Sequence, residues 1–254
     1  MSNPALIGRQ YESTLRTKLR SVFTSIPKTA GFGTGPDITI PSVNQPGQNL
    51  LVEAKTTTEA DFGQKAITFN GTSWVAKFDG NEPQSLVKLY NYLYSVYDID
   101  RYIKESWKLP NDKLTANDLR DIINNDNLSK ILYYEKMLEQ ATGSQNPFQQ
   151  TTIVSGPQIV SSIIFYYNSK GIYYLQIKNE GLYILGSDKM GLNSKLPIDI
   201  PKFNPTTASL VVRGKSSSTY RTFRPTLTLK CGDVQRSNFT LDDTNDIKLL
   251  HKYL

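Results

Sequence analysis

Two short runs, Asp37-Ile-Thr-Ile-Pro41 and Asn49-Leu-Leu-Val-Glu-Ala-Lys55, decide how this chain is read. Both are dominated by aliphatic and β-branched residues, and the turn-forming Asn44-Gln-Pro-Gly-Gln-Asn49 separates them, so the pair predicts a β-hairpin. Side chains alternate along a strand. Ile38 and Ile40 therefore point opposite to Asp37, and Val52 and Ala54 point opposite to Glu53 and Lys55. Two carboxylates and an amine then converge beside an apolar face. Burying two acids together requires compensation by a metal or a cation. An all-oxygen site of this kind suits Mg²⁺, which takes one or two carboxylates and fills its octahedron with waters and phosphate oxygens.

Outward from the hairpin, Pro4 to Phe23 is read as an amphipathic helix, because Leu6, Ile7, Tyr11, Leu15, Leu19 and Val22 recur at helical spacing. Ile26 to Pro36 is punctuated by Gly and Pro. Glu82–Trp107 and Thr115–Ala141 carry helical stripes such as Leu86, Leu89, Tyr90, Leu93 and Leu119, Ile122, Ile123. From Thr152 the character changes. Ile159–Tyr167, Gly171–Lys178, Leu182–Leu185, Leu210–Arg213 and Thr222–Lys230 are rich in β-branched and aromatic residues and read as strands. With no repeat and no flexible linker, the expectation is one mixed α/β domain over residues 1–254, β-rich in its C-terminal half.

Composition narrows the chemistry. The chain has 254 residues, 38% hydrophobic and 20% charged, which is ordinary globular usage. Its apolar runs are far shorter than the roughly 20 residues a membrane helix needs. Met1 to Gly8 lacks the pattern of a secretory signal, so an intracellular protein with no membrane partner is expected. A single cysteine, Cys231, leaves no internal disulfide and no Cys-rich zinc site. A single histidine, His251, falls in what reads as a C-terminal tail, which argues against a serine or cysteine triad and against a histidine general base. Hydrolysis would have to run on carboxylates, lysine, tyrosine or an oxygen-bound metal. The net charge of +6 suits a polyanionic partner, and the basic residues cluster. Lys202 to Arg236 holds seven basic residues against the lone acid Asp233.

The arrangement Pro36-Asp37 … Glu53-Ala54-Lys55 resembles the PD-(D/E)XK nuclease superfamily, and Lys55-Thr-Thr-Thr-Glu-Ala-Asp-Phe-Gly-Gln64 is similar to the segment after the catalytic lysine in several type II restriction endonucleases. The resemblance implies a mixed central β-sheet flanked by helices, with the catalytic hairpin at about 36–56. It implies Mg²⁺ held by Asp37, Glu53 and the Ala54 carbonyl, with Glu12 of the first helix as an outer ligand. Lys55 would position or deprotonate the attacking water, and Gln64 would hold a water or a DNA phosphate. The implied reaction is hydrolysis of double-stranded DNA at a short site, leaving 5′-phosphates. The implied partner is a DNA methyltransferase that protects the same site, and a homodimer would suit a palindrome.

Recognition is expected from strands and loops at about 152–236, chiefly the basic hairpin Leu210–Arg224. There Arg213, Arg221 or Arg224 could pair with guanine and Ser216 to Thr219 could meet DNA phosphates, with Lys215 also expected to bind DNA. Two other readings stay open: a structure- or mismatch-directed nuclease of the same superfamily, and a non-catalytic DNA-binding protein. Gly171-Ile-Tyr173 and Tyr183-Ile-Leu-Gly186 imitate GIY-YIG nucleases. Leu185 interrupts the second motif and no arginine follows in Ser187–Asp199, so paired core strands explain them better.

Overall fold

A computed structural model describes residues 4–26, 35–70, 72–107, 150–217 and 222–254. The helix expected at Thr115–Ala141 lies outside them. The fold is mixed α/β with two sheets, and no described helix is long and apolar enough to cross a membrane. The chain packs as two compact units, residues 1–60, 160–207 and 231–254 in one and 61–159 and 208–230 in the other.

The first unit is built on the hairpin. β1 (Ile38–Pro41) pairs antiparallel with β2 (Asn49–Lys55), with Ile38 opposite Val52 and Ile40 opposite Leu50. Alternation is visible in burial. Ile38, Ile40, Leu50, Val52 and Ala54 are buried, whereas Leu51, Glu53 and Lys55 are half-buried. Against the apolar face packs α1 (Pro4–Arg20), whose Tyr11, Leu15 and Leu19 repeat every turn.

β2 also pairs with β6 (Tyr174–Ile177), in parallel, and β6 turns back antiparallel into β7 (Gly181–Ile184). The sheet order is β1-β2-β6-β7. A parallel pair needs a crossover, and its last element here is helical. The run Ile159–Tyr167, expected as a strand, lies within helix Pro157–Asn168. Ile159, Ile163 and Tyr167 are buried and fall one turn apart, and Pro157 occupies the first helical position, where its missing N–H costs nothing. The GIY-like residues lie in and beside the β6–β7 pair, and the buried Tyr183 hydroxyl donates to the Glu180 and Gln235 carbonyls. That is core architecture.

The C-terminal segment read as a tail is helix Thr244–Tyr253, capped by the Asp243 carboxylate. Its Ile247 and Leu250, with Leu254, join the core of the first unit, and His251 meets Phe23 edge-on at 4.9 Å.

The second unit carries a five-stranded sheet in the order β4-β3-β9-β8-β5. Its strands are β3 (Gly63–Phe69), β4 (Trp74–Ala76), β5 (Thr151–Ser155), β8 (Ala208–Ser217) and β9 (Thr222–Cys231). Helix α2 (Gln84–Tyr97) buries Leu86, Leu89, Tyr90 and Leu93, as its stripe anticipates, and a short helix (Ile99–Tyr102) and a π-helical turn (Ile103–Trp107) follow it.

Candidate active site

Asp37, Glu53, Ala54 and Lys55 meet at one end of the β1–β2 ribbon. Asp37 stands just before β1, level with the end of β2, and its Oδ2 accepts the Ala54 N–H at 2.9 Å. The Lys55 carbonyl, by contrast, accepts from the Lys178 amide, toward β6. Backbone groups of successive residues face opposite edges of a strand, so the Ala54 carbonyl points to the same edge as the Asp37 carboxylate. On the half-buried face, Lys55 Nζ lies 2.7 Å from Glu53 Oε1, with side-chain exposures of 18% and 13%. The buried ring of Tyr167 flanks this amine, 5.9 Å from Nζ.

The electrostatics reflect crowding of like charge. Burial, then repulsion from Glu53, push the Asp37 carboxyl up to about 7, against opposing pulls from Lys55 and the Ala54 amide. Burial works to lower the Lys55 pKa, but attraction to Glu53 and Asp37 outweighs it and holds the ammonium above its ordinary value. Lys55 is therefore a fixed cation at neutral pH. The Tyr167 phenol is raised too, first by burial and then by Glu53, so it stays neutral.

Sequence reasoning missed the residue that ties α1 to this site. Arg16 is 9% exposed, and its Nε and Nη2 donate to the Asp37 main-chain carbonyl at 3.2 and 3.1 Å. The same Nη2 lies 3.1 Å from Glu12 Oε2. Glu12 is thus brought near enough to raise the Asp37 pKa, yet its carboxylate is engaged by Arg16. Among the described residues no group of three or more His, Cys, Asp or Glu could hold a metal ion. The donors present are the two carboxylates and the Ala54 carbonyl. These all-oxygen donors, with Asp37 destabilised by a second carboxylate, fit a hard divalent cation that keeps several waters.

The remaining expected residues belong to the second unit or lie outside the described residues. Gln64 lies on β3 in the second unit rather than in a loop, and its Nε2 donates to Thr226 Oγ1 at 3.2 Å. Arg213 forms an ion pair with Asp61, whose other oxygen lies 2.8 Å from Lys230 Nζ. Lys215 and Ser216 lie on β8 and Arg224 on β9, with side chains outside the described residues, as is all of Arg221. Comparison of the chain with protein-family models, characterised proteins and solved structures finds no significant match.

Proposed function

We propose that the chain is a Mg²⁺-dependent endonuclease of the restriction type, hydrolysing double-stranded DNA at a short site within a restriction-endonuclease-like fold. The observation that carries this reading is the mutual placement of Asp37, Glu53 and Lys55 at one end of the ribbon, where two carboxylates strain against each other beside a fixed cation. The mixed sheet, antiparallel at β1–β2 and parallel at β2–β6, supports it, because that pairing puts all three groups at one sheet end.

Asp37, Glu53 and the Ala54 carbonyl would hold Mg²⁺, which when bound polarises the scissile phosphate and acidifies a coordinated water. The chain's own residues supply the rest. Arg16 fixes the backbone of Asp37, so the carboxylate is held in place before substrate arrives. The Ala54 N–H orients that carboxylate. Lys55, kept protonated by its two acidic neighbours, donates to the attacking water and to the phosphate oxygens on which negative charge develops. Its role is thereby that of an orienting cation rather than of a base.

Incubating the protein with supercoiled plasmid and Mg²⁺, then sequencing the fragment ends, tests the reading. Discrete fragments with a 5′-phosphate and a shared terminal sequence are expected. Cutting confined to branched or mismatched DNA would turn the reading to a structure-directed nuclease. Specific binding without nicking at any enzyme concentration would overturn catalysis altogether.

A further inference from the structure

An open cleft of about 520 Å³ lies at the same sheet end as Asp37 and Lys55, lined in part by Asn179, Glu180, Arg236, Asn238, Asp242 and Asp243. Pairing fixes where it stands. Lys55 is level with Ile177 of β6, the Lys178 amide donates to the Lys55 carbonyl at 2.9 Å, and β7 returns from Gly181. The cleft opens at the β6–β7 turn, two strand positions from β2, or roughly 10 Å at ordinary strand spacing. Duplex DNA rises about 3.4 Å per base pair, so this span is about three base pairs.

The lining chemistry selects what can enter. Glu180, Asp242 and Asp243 set three carboxylates against the single guanidinium of Arg236, an arrangement that repels a phosphate backbone. The same groups match base edges. Arginine pairs bidentately with guanine, asparagine with adenine, and a carboxylate accepts from the cytosine amino group. Arg236, Asn179 and Asn238 are exposed, whereas Asp242 is held. Its Oδ2 accepts from the Tyr11 hydroxyl at 3.1 Å and from Gln176 Nε2 and the Asn179 amide at 3.3 Å. Gly181 lets the 236–240 segment press against the start of β7, since a Cβ there would meet the Phe239 carbonyl at 2.7 Å. Three exposed side chains with base-edge chemistry thus line the cleft beside the hydrogen-bonded Asp242 carboxylate.

The geometry points to this cleft as the base-reading site of the proposed nuclease, taking the edges of base pairs within about three positions of the scissile phosphate. It rests on the nuclease reading above and adds Arg236, Asn179 and Asn238 to the readers expected from the basic hairpin.

The test compares the wild-type chain with Arg236→Ala, Asn238→Ala and Asn179→Gly. The first two remove exposed side chains, and glycine suits the φ of 65° at position 179, so all three keep the fold, which a thermal melt verifies. Each protein digests plasmid with Mg²⁺ and the ends are sequenced. Constant bases within about three positions of the wild-type cut are expected. All three variants should cut those sites at least about tenfold more slowly, or cut additional sequences, with unchanged Mg²⁺ half-saturation. The cleft proposal alone fails under any of three results: variants that cut the same sites within about twofold of the wild-type rate, wild-type ends with no shared sequence, or constant bases more than about five positions from the cut. Absence of any Mg²⁺-dependent cutting by the wild-type chain rejects the nuclease reading itself, and the cleft's role with it.

Discussion

Replacing Asp37 with asparagine should stabilise the protein in the absence of divalent cations while removing its response to them. The folded state raises this carboxyl from 3.8 to about 7, because burial and Glu53 oppose its ionisation. The sign follows by linkage. Below about pH 4 the group is protonated in both folded and unfolded chains and costs nothing. As pH rises to about 7 the unfolded chain releases its proton first, so stability is lost across that window, and above it the full cost persists. A shift of about three units at 1.36 kcal/mol each sets an upper limit near 4 kcal/mol. Solvent relaxation and the weaker bond from the Ala54 N–H to a neutral amide bring the expected gain to about 1–3 kcal/mol at pH 8. Asparagine keeps an acceptor for that amide, so the local backbone is preserved. Urea unfolding in EDTA at pH 5 and pH 8 measures the effect: the variant's advantage should grow by about 2 kcal/mol between the two. Adding Mg²⁺ at pH 8 should stabilise only the wild-type chain. A variant equally or less stable at pH 8 in EDTA would refute the claim that the two carboxylates strain against each other.

Three further outcomes follow from the same geometry. Lys55→Ala should lower plasmid cleavage by about 10²–10⁴-fold, while fluorescence anisotropy with Ca²⁺ in place of Mg²⁺ shows duplex binding retained; full activity would remove Lys55 from the chemistry. Because a proton occupies Asp37 below about pH 7, a cation must displace it there. The Mg²⁺ concentration for half-maximal thermal shift should rise by up to about tenfold per pH unit below 7, and a pH-independent value would contradict the assignment. Gly181→Ala should destabilise the chain by about 1–3 kcal/mol in urea unfolding, since its φ of 109° and the Phe239 carbonyl 2.7 Å from a Cβ both exclude a side chain.

What could be read from the sequence was what alternation and helical spacing encode locally. The hairpin shows because Ile38 and Ile40, and again Val52 and Ala54, lie two residues apart, and α1 shows because Tyr11, Leu15 and Leu19 lie four apart. Ile159–Tyr167 was illegible as a helix because its β-branched and aromatic composition matches a buried strand, and only the four-residue spacing of Ile159, Ile163 and Tyr167 separates the two. The strand that carries Gln64 was hidden by its polar opening, Gly63-Gln-Lys65, which pairs with β9 more than 160 residues on. Arg16 could have been found from its four-residue spacing to Glu12, but its bond to the Asp37 carbonyl depends on α1 docking against the ribbon. The ion pair of Arg213 with Asp61, 152 residues away, is likewise one that no local pattern encodes.

The most direct test of the central claim is the anomalous scattering of Mn²⁺ in crystals of the protein. A peak within about 2.5 Å of both the Asp37 and Glu53 carboxylates, and near the Ala54 carbonyl, is the expected result. A peak confined to other residues, or none near these three at saturating Mn²⁺, would contradict the account.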